Sequence, residues 1–252
     1  ALLLQPRRAL PMAAPLLGAA LVVWTNTTPI ATADTAYADY QVKALETPGQ
    51  INPRLFMSNG SHSSQIDDST PPNTHRYVRY LRQALLDDLG FKGKDVLVLG
   101  AGGFTLSQQE PLNRYTYVDI DPAIRAIAEQ HFLKAPAHGE FIAEDARRFV
   151  SATERRFDAV VVDVYSDRAA IPSHLVTREF WQSSRHALKP GGVLMANLIL
   201  DARLASPYAR HVLDTLESVY GRCSTEVLQK GQAMANVIAT CHAGSQPSAP
   251  GI

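Results

Sequence analysis

The sequence is short of nearly every feature that marks a specialised chemistry. Two cysteines in 252 residues, Cys223 and Cys241, are too few for a disulfide scaffold or a cysteine-rich zinc module. No His, Cys, Asp and Glu spacing of the metal-binding kind occurs, so no metal is expected, and no G-x-S-x-G elbow holds a nucleophilic serine. Neither charge is in excess. The 24 Lys and Arg balance 24 Asp and Glu, which leaves no electrostatic basis for nucleic acid as a partner. Internal repeats are lacking as well. A hydrophobic fraction of 46% with 19% charged residues excludes a disordered or fibrous chain and leaves room for one substantial core with a short appendage.

Long apolar runs are scarce too, with one exception at residues 9–24. This run follows Arg7-Arg8 and is followed by a Thr- and Asn-rich stretch ending in Ala31-Thr32-Ala33. A basic head, a short apolar centre and an A-x-A site describe a secretory signal. The run is slightly short of a full span, and the other reading is the last transmembrane helix of a larger membrane protein. Pro11 and Pro15 oppose a regular helix. Arginines ahead of the run favour a following domain outside the cytoplasm, though the side of the membrane stays open. Residues 1–33 are therefore expected to form a membrane or signal-like segment, and the protein to be membrane-associated or exported.

From residue 95 onward, short apolar runs alternate with helical periodicity. Strands are expected at 95–99, 115–119, 140–143, 157–163 and 192–197, with helices at 122–132, 177–188 and 206–220. A hairpin at 223–229 and 234–241 follows. Five parallel strands closed by an antiparallel pair make an α/β, class I SAM-methyltransferase-like (Rossmann-like) doubly wound sheet. With the hairpin turn near Gln232, the two cysteines fall opposite one another, and both a disulfide and two half-buried thiols remain open. Residues 34–73 read as a small N-terminal β-unit, with strands at 36–46 and 54–59 and a Ser-, Asp- and Pro-rich loop at 60–73 placed to cover a ligand. A helix at 74–89 opens the Rossmann-like domain, residues 74–242, and residues 243–252 read as a disordered tail.

The chemistry-bearing positions sit where the strands end. Strand 95–99 runs into Gly100-Ala101-Gly102-Gly103, a turn that lets backbone approach a ligand, and Asp119 follows Gly100 by 19 positions at the end of the next strand. That spacing suits an acid that accepts ribose hydroxyls. The third small residue of a dinucleotide fingerprint is missing, since Thr105 occupies its place, so the fit to NAD is imperfect. Asp145 and Ala146 follow the third strand, where a carboxylate can accept an adenine amino group. Asp163 ends the fourth, with Tyr165 and Asp167 just after it. Three acids on one rim converge on the crevice where open α/β sheets bind ligands; helix capping is the alternative use for each. His62 and His75 read as solvated loop residues, and Trp181 as packing.

Taken together, Gly100-Ala101-Gly102-Gly103, Val118-Asp119-Ile120-Asp121, Glu144-Asp145-Ala146, Asp163-Val164-Tyr165-Ser166-Asp167 and Leu188-Lys189-Pro190-Gly191-Gly192 resemble the spermidine/spermine synthase family of polyamine aminopropyltransferases. Leu55-Phe56-Met57-Ser58-Asn59-Gly60, Gln65 and Tyr77 extend the likeness upstream, and it is closest to spermidine synthase-like domains attached to membranes. The resemblance implies transfer of an aminopropyl group from decarboxylated S-adenosylmethionine, the co-substrate, to putrescine or a related polyamine, in a protein that is often a homodimer. Carried over by motif, Asp119 holds the ribose and Asp145 with Ala146 the adenine. Gly100, Gly102, Gly103 and Gln65 complete the donor site. Asp163 and Asp167 serve the aminopropyl and amine end, with Asp167 as general base, and Tyr77 and Tyr165 line the amine side. Here three residues separate Asp163 from Asp167 where the family commonly has two, and Arg76 or Arg79, if turned inward, would repel a polycation. The rivals are a methyltransferase using S-adenosylmethionine itself and a domain that binds nucleoside or polyamine without turnover.

Overall fold

The run Val96-Leu97-Val98-Leu99 has no polar face, and the fold buries both of its sides. The computed structural model describes residues 29–165 and 172–244. Its first part is a four-stranded antiparallel sheet in the order β1 (Ala31–Asp34), β2 (Asp39–Ala44), β3 (Arg54–Ser58), β4 (Ser61–Ile66). Helix α1 (Arg76–Gln83), prolonged by a π-helical turn Ala84–Asp88, leads into β5 (Asp95–Leu99) and β6 (Arg114–Asp119). There follow α2 (Ile124–Ile127) with its own π-helical extension Ala128–Leu133, β7 (Glu140–Ala143), α3 (Ala146–Ala152) and β8 (Phe157–Val162). The chain continues through α4 (Arg178–His186), β9 (Leu188–Asp201), α5 (Pro207–Tyr220), β10 (Ser224–Val227) and β11 (Met234–His242).

Seven of these strands form one sheet in the order β10-β11-β9-β8-β5-β6-β7. Strands β5 to β9 pair in parallel, and β11 and β10 add antiparallel to β9, as the sequence pattern predicts. Alternate residues serve alternate faces. Leu97, Leu99, Val160 and Val162 join Phe149, Phe180 and Leu216 on the side of α3, α4 and α5. Val96, Val98, Ala159 and Val161 join Leu81, Phe132 and Phe56 on the side of α1, α2 and the small sheet. Trp181 is fully buried and packs edge-on against Phe180. Local signals set the helix starts: the side chains of Asp145, Thr177 and Ser206 each accept the backbone N–H three residues on.

Several boundaries differ from the sequence expectation, each for a tertiary reason. Ala31–Asp34, the expected end of the leader, forms β1, which pairs along β2 and covers that strand's outer edge. Within the segment expected to be a loop, residues 61–66 form β4. Its run of Ser, His and Gln lacks an apolar alternation, and the strand exists because β3 supplies its backbone partners. Strand β9 runs on to Asp201 because β11 pairs with it from Val193 to Asp201, and its start absorbs the Lys-Pro-Gly-Gly turn through a register shift opposite Phe157. Ala243 is buried, with its N–H donating to Gly192 O at 2.9 Å, so it belongs to the fold rather than to a tail. Residues 1–28, which carry most of the membrane or signal-like segment, and 245–252 lie outside the described residues. Among the described residues no helix is long and apolar enough to cross a membrane.

Polar contacts tie the small sheet down. Arg54 is buried and donates to Phe132 O at 2.6 Å while pairing with Asp68 at 2.7 Å. Thr35 Oγ1 donates to Asp121 at 2.6 Å, and Ser64 Oγ accepts the Gly103 N–H at 2.9 Å. At the other end, Cys223 and Cys241 are disulfide-bonded across the β10–β11 pair, with Cα atoms 4.5 Å apart. The bond closes a loop with a sequence separation of 18, so replacing both cysteines by serine is expected to cost about 3 kcal/mol of stability. A lower urea midpoint would show it; an unshifted midpoint would mean that strand pairing alone holds the hairpin.

Candidate functional site

Strand ends supply the site because parallel strands all release their chain at one rim. At the end of β5 the backbone turns back at Gly100, with φ +89°, against the carbonyl of Asp163; a Cβ there would lie 2.2 Å from that oxygen. Only glycine fits so close an approach. The turn brings the ends of β5, β6 and β8 together, and Asp119 Oδ2 accepts the Ala101 N–H at 2.8 Å while its Oδ1 accepts that of Asp121 at 3.0 Å. Burial raises the Asp119 pKa, against the lowering effect of these donors.

The rim encloses a cavity of ≈ 590 Å³, roughly the size expected for a nucleoside with a second small substrate. Its nucleoside-like half is lined by Gly100, Gly102, Asp119, Ile120, Asp145 and Ala146. Across it, β4, the start of α1 and the ends of β8 and β9 contribute Ser63, Tyr77, Asp163, Tyr165 and Asn197. Asp163 sits at the junction. Its Oδ2 accepts from Tyr77 Oη and its Oδ1 from Asn197 Nδ2, both at 2.9 Å. Behind Asn197 the amides line up: Asn236 donates to Asn197 Oδ1 at 3.0 Å and Gln229 donates to Asn236 Oδ1 at 2.9 Å. A chain of oriented dipoles thus leads from the terminal hairpin to one carboxylate. Desolvation still dominates and raises the Asp163 pKa to about 6, although both hydrogen bonds lower it.

Most of the expected site residues that the structure describes converge here, with two exceptions and one dual role. Gln65 does not line the cavity. Strand β4 leaves the rim after Ser63, and the Gln65 amide reaches Gln50 instead. Gly103 is not part of the lining either: its Cα faces Phe132, 2.3 Å from where a Cβ would sit, and its role is to let α2 pack. Asp145 caps α3 through Arg148 N at 2.9 Å and lines the cavity as well, with His174 Nε2 at 3.8 Å from its other oxygen. Asp167 lies in residues 166–171, outside the described residues. Tyr165 lines the cavity and donates to Asn197 O at 2.6 Å.

Sequence reasoning passed over Asn197 and Asn236, read His75 as a solvated loop residue, and left the direction of Arg76 open. Asn197 carried a usable signal, a polar residue inside the apolar run from Val193 to Leu200. The others are placed by tertiary contacts. His75 and His62 both line the cavity rather than standing free in a loop, and the His75 ring stacks on Tyr77 with centroids 5.9 Å apart. Burial, helped by His62 and Arg79, pulls His75 down to about 4. Among the described residues no group of three or more His, Cys, Asp or Glu is placed to hold a metal ion.

The raised pKa of Asp163 makes a stability prediction. Its folded value, about 6, lies above the ordinary 3.8, so the protonated form suits the fold, and the cost of the buried charge appears as pH rises through about 6. Asp163→Asn removes that cost while keeping the contacts: its carbonyl can accept from Asn197, and its amide can donate to Tyr77 Oη, which also lies 3.3 Å from Ser63 O. The variant is expected to be more stable than the parent near pH 8 by up to about 3 kcal/mol, with the difference vanishing near pH 4. Urea denaturation at both pH values measures it, and a variant less stable than the parent at pH 8 would refute it.

With this geometry in view, comparison with known proteins gives a consistent result. A polyamine aminopropyltransferase of Vibrio vulnificus is 30% identical over 171 residues, covering 64% of this chain and 56% of that protein. A protein of Bifidobacterium longum named as a probable polyamine aminopropyl transferase is 30% identical over 141 residues, covering 54% of this chain and 31% of its own length. The chain thus spans about half, or less, of these relatives. Among solved structures, a probable spermidine synthase of Corynebacterium glutamicum superposes with a TM-score of 0.71 at 21% identity, covering 89% of this chain and 84% of that one, which shows a shared fold. The spermine/spermidine synthase domain family matches residues 81–229, more than half of the sequence, and the chain belongs to that family.

Proposed function

We propose that the protein transfers an aminopropyl group from decarboxylated S-adenosylmethionine to an amine of the putrescine class, releasing methylthioadenosine. The observation that carries this reading is that Asp119 and Asp163 line one cavity, one in a nucleoside-like half and the other facing the half shared by α1 and β9. The relatives named polyamine aminopropyltransferases support the same chemistry.

In this reading Asp119 holds the ribose, Asp145 and Ala146 flank the adenine, and Asp163 draws the amine toward the sulfonium. The carbon beside a sulfonium is already electrophilic, so alignment and a free nitrogen lone pair are what the protein must supply. The nitrogen forms the new C–N bond as the C–S bond breaks, and the electron pair returns to sulfur, which leaves as a neutral thioether. The proton lost from nitrogen passes to a carboxylate. Asp163, with a pKa of about 6, is ionised at neutral pH and can take it. Tyr77 and Asn197 fix both of its oxygens, so its orientation does not depend on the substrate. We include in the proposal an exported or membrane-attached setting, which the Cys223–Cys241 disulfide supports, since such bonds persist in oxidising compartments.

Incubation of the purified protein with the donor and putrescine, following methylthioadenosine, tests the reading. Asp163→Asn is expected to lower kcat/KM by about 100-fold or more. The acid limb of the parent's pH profile is expected near 6 and to move upward in Tyr77→Phe, because the tyrosine hydrogen bond lowers the Asp163 pKa. Undiminished turnover by Asp163→Asn would remove Asp163 from the mechanism.

A further inference from the structure

The line of amides behind Asp163 has a direction, and the chemistry at its two ends fixes it. A side-chain amide turned over exchanges a donor for an acceptor at nearly the same positions, so each amide of such a line has two settings. At the far end the Asn236 backbone N–H, which can only donate, gives its hydrogen to Gln229 Oε1 at 2.7 Å. Gln229 must then present Nε2 to Asn236 Oδ1, 2.9 Å away, and Asn236 its Nδ2 to Asn197 Oδ1, at 3.0 Å. Asn197 is left with Nδ2 toward Asp163 Oδ1, at 2.9 Å. The strand register builds this path. Asn197 stands opposite Ile238 and Asn236 opposite Ile199, so the two asparagines are diagonal neighbours on one face of the sheet. The Leu228 N–H donates to Asn236 O at 2.9 Å, which sets Gln229 beside the same residue. Asn197 is 1% exposed, so water does not compete for its amide.

A line of amides without an anchor would follow the carboxylate. Ionised Asp163 only accepts and holds Asn197 Nδ2 toward itself, whereas protonated Asp163 can donate, and a reversed line would accept from it. The backbone N–H opposes the reversed setting, and each donor in the line polarises the next, so both effects favour the ionised form. Resting on the transfer reading above, we propose that Gln229 and Asn236 are positioning residues that act through Asn197 to hold Asp163 as the anion receiving the proton of the attacking amine. Neither has to touch the substrate to do so. Among the described residues, the titratable groups that bear on Asp163 are Tyr77 on α1, Tyr117 on β6 and Tyr165 after β8, all kept neutral by burial. His62, His75 and Arg76 share the cavity lining. None of these belongs to the line of amides, so their effect on Asp163 is common to the parent and to variants of the line.

Carbon-13 NMR titration of the Asp163 carboxyl carbon in the full chain without substrate tests this, with the signal assigned by its loss in Asp163→Asn. Gln229→Met keeps the length of the side chain and removes its amide, and Asn236→Leu cuts the line one link nearer the carboxylate. Each is expected to raise the Asp163 pKa by about 1, a tenfold gain in proton affinity, as the loss of one charge-assisted hydrogen bond allows. In the methylthioadenosine assay with putrescine, the kcat/KM deficit of Gln229→Met is then expected to be about tenfold near pH 5 and to shrink as pH rises toward 8, where the ionised carboxylate itself turns Asn197. A titration unmoved in whichever of the two variants folds overturns the proposal. So does a deficit of equal size at every pH, the mark of lost packing or of a lost contact with substrate. If the parent yields methylthioadenosine while the titration stays unmoved, the positioning proposal fails and the transfer reading stands. If no amine yields methylthioadenosine, the transfer reading fails, and the titration still decides whether the line of amides acts on Asp163.

Discussion

A carboxylate drawn largely out of water at the end of a central strand is tolerable only when its oxygens are occupied. Asp163 meets that condition through one hydrogen bond from Tyr77 and one from Asn197. Three parts of the structure are needed to make those bonds. Helix α1 carries Tyr77, β9 carries Asn197, and the hairpin orients the asparagine through Asn236 and Gln229. The bonds offset only part of the desolvation, so the group rests near the middle of the biological pH range rather than as a permanent anion.

The same constraint explains the glycine turn. Gly100 lets the ends of β5 and β8 close on each other, and the backbone amide of Ala101 is thereby delivered to Asp119. Two acids thus share one cavity in different electrostatic surroundings: Asp119 is held by backbone donors, Asp163 by side chains. The small sheet acts as the cavity's outer wall. Its tethers, Arg54 to the end of the α2 extension and Ser64 to Gly103, fix the wall against the turn it faces.

Parallel strands, the acids at their ends and the capped helices were legible from local pattern, because strands buried on both faces leave continuous apolar runs and capping residues act within one turn. Asp119, Asp145, Ala146, Asp163, Tyr77 and Tyr165 were all found by motif and all line the cavity. Gln65 and Gly103 fall outside the cavity lining for one reason: a motif records order along the chain, not how far a strand has run past a rim or which helix packs on a turn. Strand β4 was invisible because its polar residues have no intrinsic pattern and its pairing partner is β3.

Composition and periodicity by themselves determined the parallel strands closed by an antiparallel pair and the glycine turn at their rim, since burial on two faces and tight turns constrain residue type wherever they occur. Tertiary structure alone decided that Cys223 meets Cys241, that Asn236 donates to Asn197 and Asn197 to Asp163, and that Arg76 and His75 face the cavity. Each of these is a contact between residues far apart in sequence or a matter of side-chain direction, and neither leaves a local trace. The physical reason is the range of the forces: hydrophobic burial writes itself into every turn of the chain, whereas a hydrogen bond between distant elements exists only after the chain has closed on itself.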